Sequence, residues 1–206
     1  HPEIGASLRA AKVASVPIIN AGDGAGEHPT QALLDLYTIK KELGRIDNLK
    51  IGIAGDLRYG RTIHSLLHII SLGKNIEVFL ISPSELRLPQ TYKTFLRRRG
   101  VKFSEFRNWN SALPKIDTLY ITRVQKERFG SPRAYHKVKN SYIFGRDDLK
   151  KLNRRAIIMQ PLPRVNDIKP EVDSDSRAAY FRQARNGLYV RMALLSLLSG
   201  TWKIKN

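Results

Sequence analysis

The sequence contains no cysteine, which excludes disulfide bonds, thiol catalysis and cysteine-ligated zinc. It also has no run of 18 apolar residues, and it therefore predicts no transmembrane helix and no membrane insertion. The first twelve residues lack the apolar segment of a signal peptide, so we expect a protein of the cytoplasm or an organelle that is not secreted. Aromatic residues make up only 8% of the chain, too few for a dedicated reader of single-stranded nucleic acid.

Acidic residues are scarce relative to basic ones. The 206 residues include 36 Lys and Arg but 18 Asp and Glu, which gives a formal net charge of +18. A balance this basic favours contact with polyanions such as RNA, an anionic membrane surface or an acidic partner. The length allows one or two small domains. A hydrophobic content of 42% excludes a mainly disordered chain.

Apolar runs alternate with amphipathic segments along the chain. Strands are predicted at residues 16–19, 50–55, 77–81, 101–106, 117–121 and 156–159. Helices are predicted at residues 5–12, 30–43, 61–72, 92–99 and 187–198. Several strands are continuous apolar runs, which is typical of a parallel sheet covered on both faces. We therefore expect an α/β fold with a doubly wound, mostly parallel sheet.

Ligands bind beyond the carboxyl ends of the strands in such a sheet, so the segments that follow the strands are the most informative. These segments are residues 22–31, 56–61, 122–125 and 161–164. His28 and Gln31 lie three residues apart near the start of a predicted helix and can face the same way. The amino terminus of a helix also favours anions.

Two arginines and a further glutamine complete the candidate site. Arg61 lies at another helix start, and Arg123 and Gln125 lie two apart in a segment that leaves a strand. Guanidinium groups bind carboxylates in a bidentate manner, so convergence of these side chains would suit a dicarboxylate. A stiff loop follows at Pro161-Leu162-Pro163. No pair of nucleophile and base is evident, which favours catalysis by positioning and charge stabilisation.

Each candidate also has a simpler interpretation. A histidine at a helix start more often caps or packs, and most arginines of so basic a chain are solvated. His64 and His68 have the i, i+4 spacing of a metal site, but no third ligand is obvious, and ordinary packing or surface placement is favoured. We expect no metal and no cofactor. The glycines at 22, 24 and 26 lack the spacing of a dinucleotide-binding loop.

Five segments together resemble aspartate carbamoyltransferase, in the order and with the spacing of that family. They are NAGDG at 20–24, HPTQ at 28–31, GDLRYGRT at 55–62, TRVQKER at 122–128 and PLPRV at 161–165. The resemblance covers nearly the whole chain, and the residues after 180 look closest to the eukaryotic branch. It implies the fold of aspartate and ornithine carbamoyltransferases, a homotrimer, and carbamoyl transfer from carbamoyl phosphate to the aspartate amine in pyrimidine biosynthesis.

The resemblance also implies how the candidate residues would hold aspartate. Arg61, Arg123 and Gln125 match residues that bind the carboxylates of aspartate. Glu127 and Arg128 match residues that help to latch two domains in a closed state. The site would therefore combine direct substrate contacts with a contact between domains.

A second set of matches concerns the carbamoyl group. His28 matches the residue that polarises the carbamoyl carbonyl. Gln31 matches a contact to the carbamoyl amino group, which it shares with the backbone carbonyls of Pro161 and Leu162. Gln160 departs from the family, in which histidine commonly precedes Pro-Leu-Pro, and Arg185 stands where eukaryotic members commonly have glutamate.

The Ser-Thr-Arg-Thr loop that grips carbamoyl phosphate in this family is absent from the sequence. We therefore expect residues 1–27 to be the tail of a truncated carbamoyl-phosphate domain and residues 28–185 to be an aspartate-binding domain. Residues 186–206 are expected to form a helix that packs back on the first domain. The sequence is then either part of a longer chain or a protein in which a partner replaces the missing half.

Two functions of different classes follow from these observations. The first is an enzyme, the aspartate-binding part of an aspartate carbamoyltransferase, because the polar candidate residues are all retained. The alternative is a catalytically inactive structural subunit, derived from a transferase, in an RNA-rich assembly such as an organellar ribosome. Its support is the missing half and the charge, since many Lys and Arg residues supply RNA affinity that falls with salt.

Overall fold

Five short segments pair in parallel to form one sheet in the computed structural model, which describes residues 1–126 and 129–201. The strands are β1 (Lys50–Ala54), β2 (Glu77–Ile81), β3 (Lys102–Phe106), β4 (Thr118–Ile121) and β5 (Ile157–Met159). Their order across the sheet is β3-β2-β1-β4-β5. The chain therefore winds in one direction from β1 to β3 and then returns past β1 to β4 and β5. This is the expected doubly wound α/β fold.

Helices cover both faces of this sheet. They are α1 (Ala6–Ala11), α2 (Pro29–Leu43), α3 (Arg61–Ile70), α4 (Gln90–Arg98), α5 (Pro132–Val138), α6 (Arg146–Lys151) and α7 (Tyr180–Leu198). Short 3₁₀ turns lie at Ser84–Leu86 and Pro170–Val172. No helix among the described residues is long and apolar enough to cross a membrane.

Two apolar clusters form the core because side chains alternate between the faces of each strand. Val78 and Leu80 of β2 pack with residues of α2, α3 and α4 on one face. Phe79 and Ile81 of the same strand pack on the other face, in the cluster that includes Trp109 and part of α6. Burial on both sides explains why β2 is a nearly continuous apolar run.

The strand predicted at residues 16–19 is wrong. This segment has no regular structure, and Val16 is 65% exposed and Ile18 40% exposed. None of the described strands lies beside it, so its backbone groups have no ladder to join. Apolar composition alone does not make a strand where no partner is available.

The last helix begins at Tyr180, seven residues before its predicted start at Gly187. Its first two turns carry Gln183 and Asn186, which are buried and hydrogen-bonded to side chains of α2. Helices α5 and α6 were not predicted. They have 7 and 6 residues, and each buries a single residue, so they lack the apolar stripe that identifies a longer helix.

Candidate active site

The carboxyl ends of β1, β4 and β5 meet the amino ends of α2 and α3 at one cavity. Its volume is about 190 Å³. Seven of the residues predicted from the sequence line it: His28, Gln31, Arg61, Arg123, Gln125, Pro161 and Leu162. Two further predicted residues, Glu127 and Arg128, lie outside the described residues. Residues as far apart in sequence as His28 and Leu162 are thus brought together, as expected for the switch point of a doubly wound sheet.

Arg61 is placed by its close approach to a glycine. It is the first residue of α3, and its Nη1 donates to the Gly24 carbonyl at 3.3 Å. A Cβ added to Gly22 would lie 2.7 Å from the guanidinium carbon, and Gly22 has a φ of +119°. Only glycine meets both requirements without strain. The loop at 20–24 therefore fixes the guanidinium at the edge of the cavity.

His28 is a neutral hydrogen-bonding group. It precedes α2, its backbone N–H donates to Ser65 Oγ at 2.8 Å, and its Nδ1 lies 3.3 Å from Thr30 Oγ1. Burial lowers the pKa of His28 to about 4, and the nearby charges of Arg61 and Arg191 act in the same direction. If Nδ1 accepts from Thr30, the proton is on Nε2. A neutral ring of this tautomer can donate a hydrogen bond to a ligand oxygen without a change of charge.

Arg123 and Gln125 follow β4 directly. The strand end is held because the Thr122 N–H donates to the Ala54 carbonyl at 2.8 Å. A Cβ on Gly55 would lie 2.1 Å from the Thr122 carbonyl oxygen, so β1 and β4 approach closely at this point. This packing directs the segment that follows β4 towards the cavity. Together with Arg61, Arg123 gives the cavity two guanidinium groups, which suits an anion with more than one carboxylate.

The loop after β5 is held by Gln160, which is buried. Its Nε2 donates to Asp167 Oδ2 at 2.8 Å, and its Oε1 accepts from the backbone N–H of Leu162. Leu162 has a φ of +53°, a conformation that is uncommon for a residue with a side chain. The Gln160 side chain therefore stabilises the turn that places Pro161 and Leu162 at the cavity, a role that the sequence did not reveal.

Arg164, in the last of the informative segments, is not available to a ligand. Both of its terminal nitrogens donate to the carboxylate of Asp173. Its guanidinium also packs over the rings of Tyr180 and Phe181, 5.5 and 5.6 Å from their centroids. This pair raises the pKa of Arg164 and lowers that of Asp173. Arg164 therefore has a structural role beside the site.

His64 and His68 are packing residues, as the sequence favoured. His64 is buried and stacks on Tyr92 with ring centroids 4.1 Å apart. His68 packs against Phe95 and lies 3.6 Å from a Glu27 carboxylate oxygen. Within residues 1–126 and 129–201, no group of three or more His, Cys, Asp or Glu side chains is arranged to hold a metal ion.

Sequence reasoning missed Asp35, which lies beneath the cavity. It is fully buried one turn after Gln31 and accepts a hydrogen bond from Gln31 Nε2 at 2.8 Å. Burial raises its pKa to about 7, opposed by hydrogen bonds from Tyr120, Gln183 and Gln31. The sequence does contain a sign of it, since this aspartate interrupts the apolar run Leu33-Leu34-Asp35-Leu36. A buried charge in such a position is rarely without a specific partner.

Family models cover the chain in two parts. Residues 47–198 match the Asp/Orn-binding domain of aspartate/ornithine carbamoyltransferases, and residues 1–41 match the carbamoyl-P-binding domain. The first match alone spans most of the chain. The chain belongs to the aspartate/ornithine carbamoyltransferase family. The resemblance found in the sequence is thereby confirmed.

Individual relatives agree with this family. The catalytic subunit of aspartate carbamoyltransferase from Thermococcus kodakarensis is 52% identical over 97% of the chain and 64% of its own length. The multifunctional protein pyr1-3 of Dictyostelium discoideum is also 52% identical, over 97% of the chain and 9% of its own length. These equal identities favour neither an archaeal nor a eukaryotic branch. The closer similarity to the eukaryotic branch therefore stays a prediction. The chain spans less than two thirds of each relative.

Solved structures of the family have the same fold. The catalytic subunit of M. jannaschii aspartate transcarbamoylase is 49% identical, with a TM-score of 0.87 over 96% of the chain and 64% of that structure. The Trypanosoma cruzi enzyme is 40% identical, with a TM-score of 0.84 over 95% of the chain and 61% of that structure. The latter is a complex with N-(phosphonacetyl)-L-aspartic acid, and another T. cruzi structure contains carbamoyl phosphate and aspartate.

Proposed function

We propose that this chain forms the aspartate-binding part of an aspartate carbamoyltransferase. The observation that carries the proposal is the convergence of two guanidinium groups, two glutamines and a neutral histidine on one cavity. The T. kodakarensis relative, named as an aspartate carbamoyltransferase, and the T. cruzi structure with carbamoyl phosphate and aspartate support the same reaction for this chain. Carbamoyl phosphate and aspartate are accordingly its proposed substrates.

The charge of the cavity favours aspartate over ornithine as the acceptor. Arg61 and Arg123 are both cationic, and each can bind a carboxylate through two N–H groups. Aspartate offers two carboxylates to such a pair. Ornithine would instead bring a second cationic amine towards guanidinium groups, which is unfavourable.

The proposed reaction is an acyl transfer without a covalent enzyme intermediate. The aspartate amine nitrogen attacks the carbamoyl carbon, the bond from that carbon to the phosphate oxygen breaks, and phosphate leaves with the electron pair. The amine loses a proton to an oxygen of the departing phosphate as the new C–N bond forms. His28 would donate a hydrogen bond to the carbamoyl oxygen as negative charge develops there, an effect that stabilises the transition state.

Three further features of the protein are proposed with this function. The first is a division into a tail of the carbamoyl-phosphate domain at 1–27, an aspartate domain at 28–185 and a returning helix at 186–206. The second is a homotrimer, and the third is a latch between domains formed by Glu127 and Arg128. The rest of the carbamoyl-phosphate-binding part would be supplied by additional chain or by a partner.

The alternative function, an inactive structural subunit of an RNA-rich assembly, gains no support from the comparisons. Its remaining basis is the net charge of +18. A contact with RNA through the basic surface would be non-specific, and its affinity would fall steeply with salt. Such a contact does not require Arg61 or Arg123, and the experiment below separates the two functions.

The test is binding of N-(phosphonacetyl)-L-aspartic acid to the protein at its natural length. We expect Arg123→Ala to weaken binding by at least tenfold, because a charge-assisted bidentate contact is lost. Arg155→Ala is the matched control, since Arg155 is exposed and adjoins the amino end of β5, away from the cavity. Equal affinities of the two variants would contradict the proposal.

A further inference from the structure

One buried carboxyl ties together three elements beneath the cavity. Asp35 of α2 is 0% exposed. Its Oδ1 accepts from Gln31 Nε2 at 2.8 Å and from Gln183 Nε2, on α7, at 2.6 Å. Its Oδ2 accepts from the hydroxyl of Tyr120, on β4, at 2.8 Å. Three donors from separate parts of the chain thus converge on this carboxyl.

These contacts determine which way the Gln31 carboxamide points. An amide can turn either its NH₂ group or its oxygen towards a neighbour, and the hydrogen-bond network decides between them. Asp35 Oδ1 accepts from the Nε2 of both Gln31 and Gln183, so the NH₂ group of Gln31 faces the carboxyl. The end of Gln31 that remains for a ligand is its carbonyl oxygen, which can only accept.

The Asp35 carboxyl is also linked, through Gln183 and Gln160, to the opposite wall of the cavity. Gln183, which donates to Asp35, accepts through Oε1 from the backbone N–H of Gln160 at 2.9 Å. Gln160 in turn fixes the turn at Pro161 and Leu162. Asp35 therefore connects the two parts of the site that would contact the carbamoyl amino group.

We propose that Asp35 is a positioning residue that makes the site selective for an acyl donor carrying an N–H group. It does so by holding the Gln31 carbonyl oxygen towards the cavity, where a carbamoyl NH₂ can donate to it and an acetyl methyl group cannot. This inference rests on the proposed function. Without Asp35, the carboxamide can rotate and present its own NH₂ group, which offers a carbamoyl amino group no acceptor.

The experiment compares two acyl donors, carbamoyl phosphate and acetyl phosphate, in the formation of the corresponding N-acyl aspartate. We expect Asp35→Ala to lower kcat/KM for carbamoyl phosphate about tenfold, the effect of losing one oriented hydrogen bond, and to leave acetyl phosphate nearly unchanged. Asp35→Asn should restore most of the selectivity. Its Oδ1 can still accept from both glutamines, while its NH₂ group donates to the Tyr120 oxygen.

The matched control is Thr38→Val. Thr38 is also buried on α2, one turn further from the cavity, and its hydroxyl donates to the Leu34 carbonyl at 2.7 Å and accepts from Asn186 at 3.0 Å. This change removes buried hydrogen bonds without touching Gln31. The ratio of kcat/KM for carbamoyl phosphate to that for acetyl phosphate should therefore not change. If Asp35→Ala lowers kcat/KM for both acyl donors by the same factor, as a general loss of structure would, the inference is wrong.

A measurement on the unmodified protein remains if Asp35→Ala does not fold. The side-chain amide protons of Gln31, assigned by their disappearance in Gln31→Ala, should be protected from exchange with solvent because Asp35 holds them. Exchange at the rate of a free carboxamide would overturn the inference. This readout does not depend on turnover, so it separates a failure of the Asp35 inference from a failure of the proposed function.

Discussion

At the scale of single residues, the unusual group is a buried aspartate with a raised pKa. Burial shifts the pKa of Asp35 from 3.8 to about 7, with Arg191 as the charged group acting against the shift. A carboxyl whose pKa is raised by folding stabilises the fold while it is protonated, below its unfolded pKa. That contribution is lost as the pH rises through the folded pKa.

We therefore predict that the free energy of unfolding falls between about pH 4 and pH 7 relative to that of Asp35→Asn, which cannot ionise. The difference is at most about 4 kcal/mol, since each pKa unit corresponds to about 1.4 kcal/mol. Urea unfolding of both proteins at pH 4.5, 6 and 8 measures it. Other carboxylates, such as Asp173, are common to both proteins and cancel. Parallel pH profiles would show that Asp35 does not titrate in this range.

At the scale of elements, the loop at 20–24 is expected to determine the position of Arg61 at the start of α3. Gly22→Ala adds a Cβ that would lie 2.7 Å from the guanidinium carbon, at a φ of +119°. We predict that KM for aspartate rises about tenfold or more because the guanidinium is displaced from its carboxylate. Steady-state kinetics at saturating carbamoyl phosphate measures this change.

Gly44→Ala is the control for backbone strain. Gly44 ends α2 with a φ of +72°, but a Cβ there would meet no atom within 4 Å. It should cost about 1 kcal/mol of stability and leave KM for aspartate unchanged. If both alanine variants change KM equally, the close contact between Gly22 and Arg61 does not position the arginine.

Most of the strands and some of the helices could be predicted from the sequence. Strand β2 was predicted with its observed bounds, and the other four strands of the sheet to within about one residue. For β1, β2, β4 and β5 the signal was an apolar run, because parallel strands buried on both faces are rich in apolar residues. Helices α5 and α6 were missed because they are short and mostly exposed. The segment at 16–19 has the composition of a strand but lacks a neighbour in the sheet.

Some residues of the candidate site could be predicted from the sequence, and others could not. His28, Arg61 and Arg123 could be found because each directly follows a strand or opens a helix, and the topology of a parallel sheet brings such positions together. The link from Asp35 through Gln183 to Gln160 joins residues up to 148 positions apart. No local pattern encodes that link, since it depends on how α7 packs against α2.

The whole molecule combines a family fold, a cavity suited to a dicarboxylate and a strongly basic composition. The family determines the sheet and the cavity, and the net charge of +18 is a separate property that neither requires. Enzyme and structural subunit would share the same fold. Retained side chains in the cavity favour the enzyme, and turnover distinguishes the two.

Carbamoyl aspartate formation by the protein from its native source, at its natural length and with its partners, tests the proposed function most directly. We expect carbamoyl phosphate and aspartate to be converted to carbamoyl aspartate and phosphate, and Arg123→Ala to lower kcat/KM for aspartate by at least about a hundredfold. No turnover, with the chain recovered in an RNA-containing particle that dissociates at high salt, would contradict the proposed function.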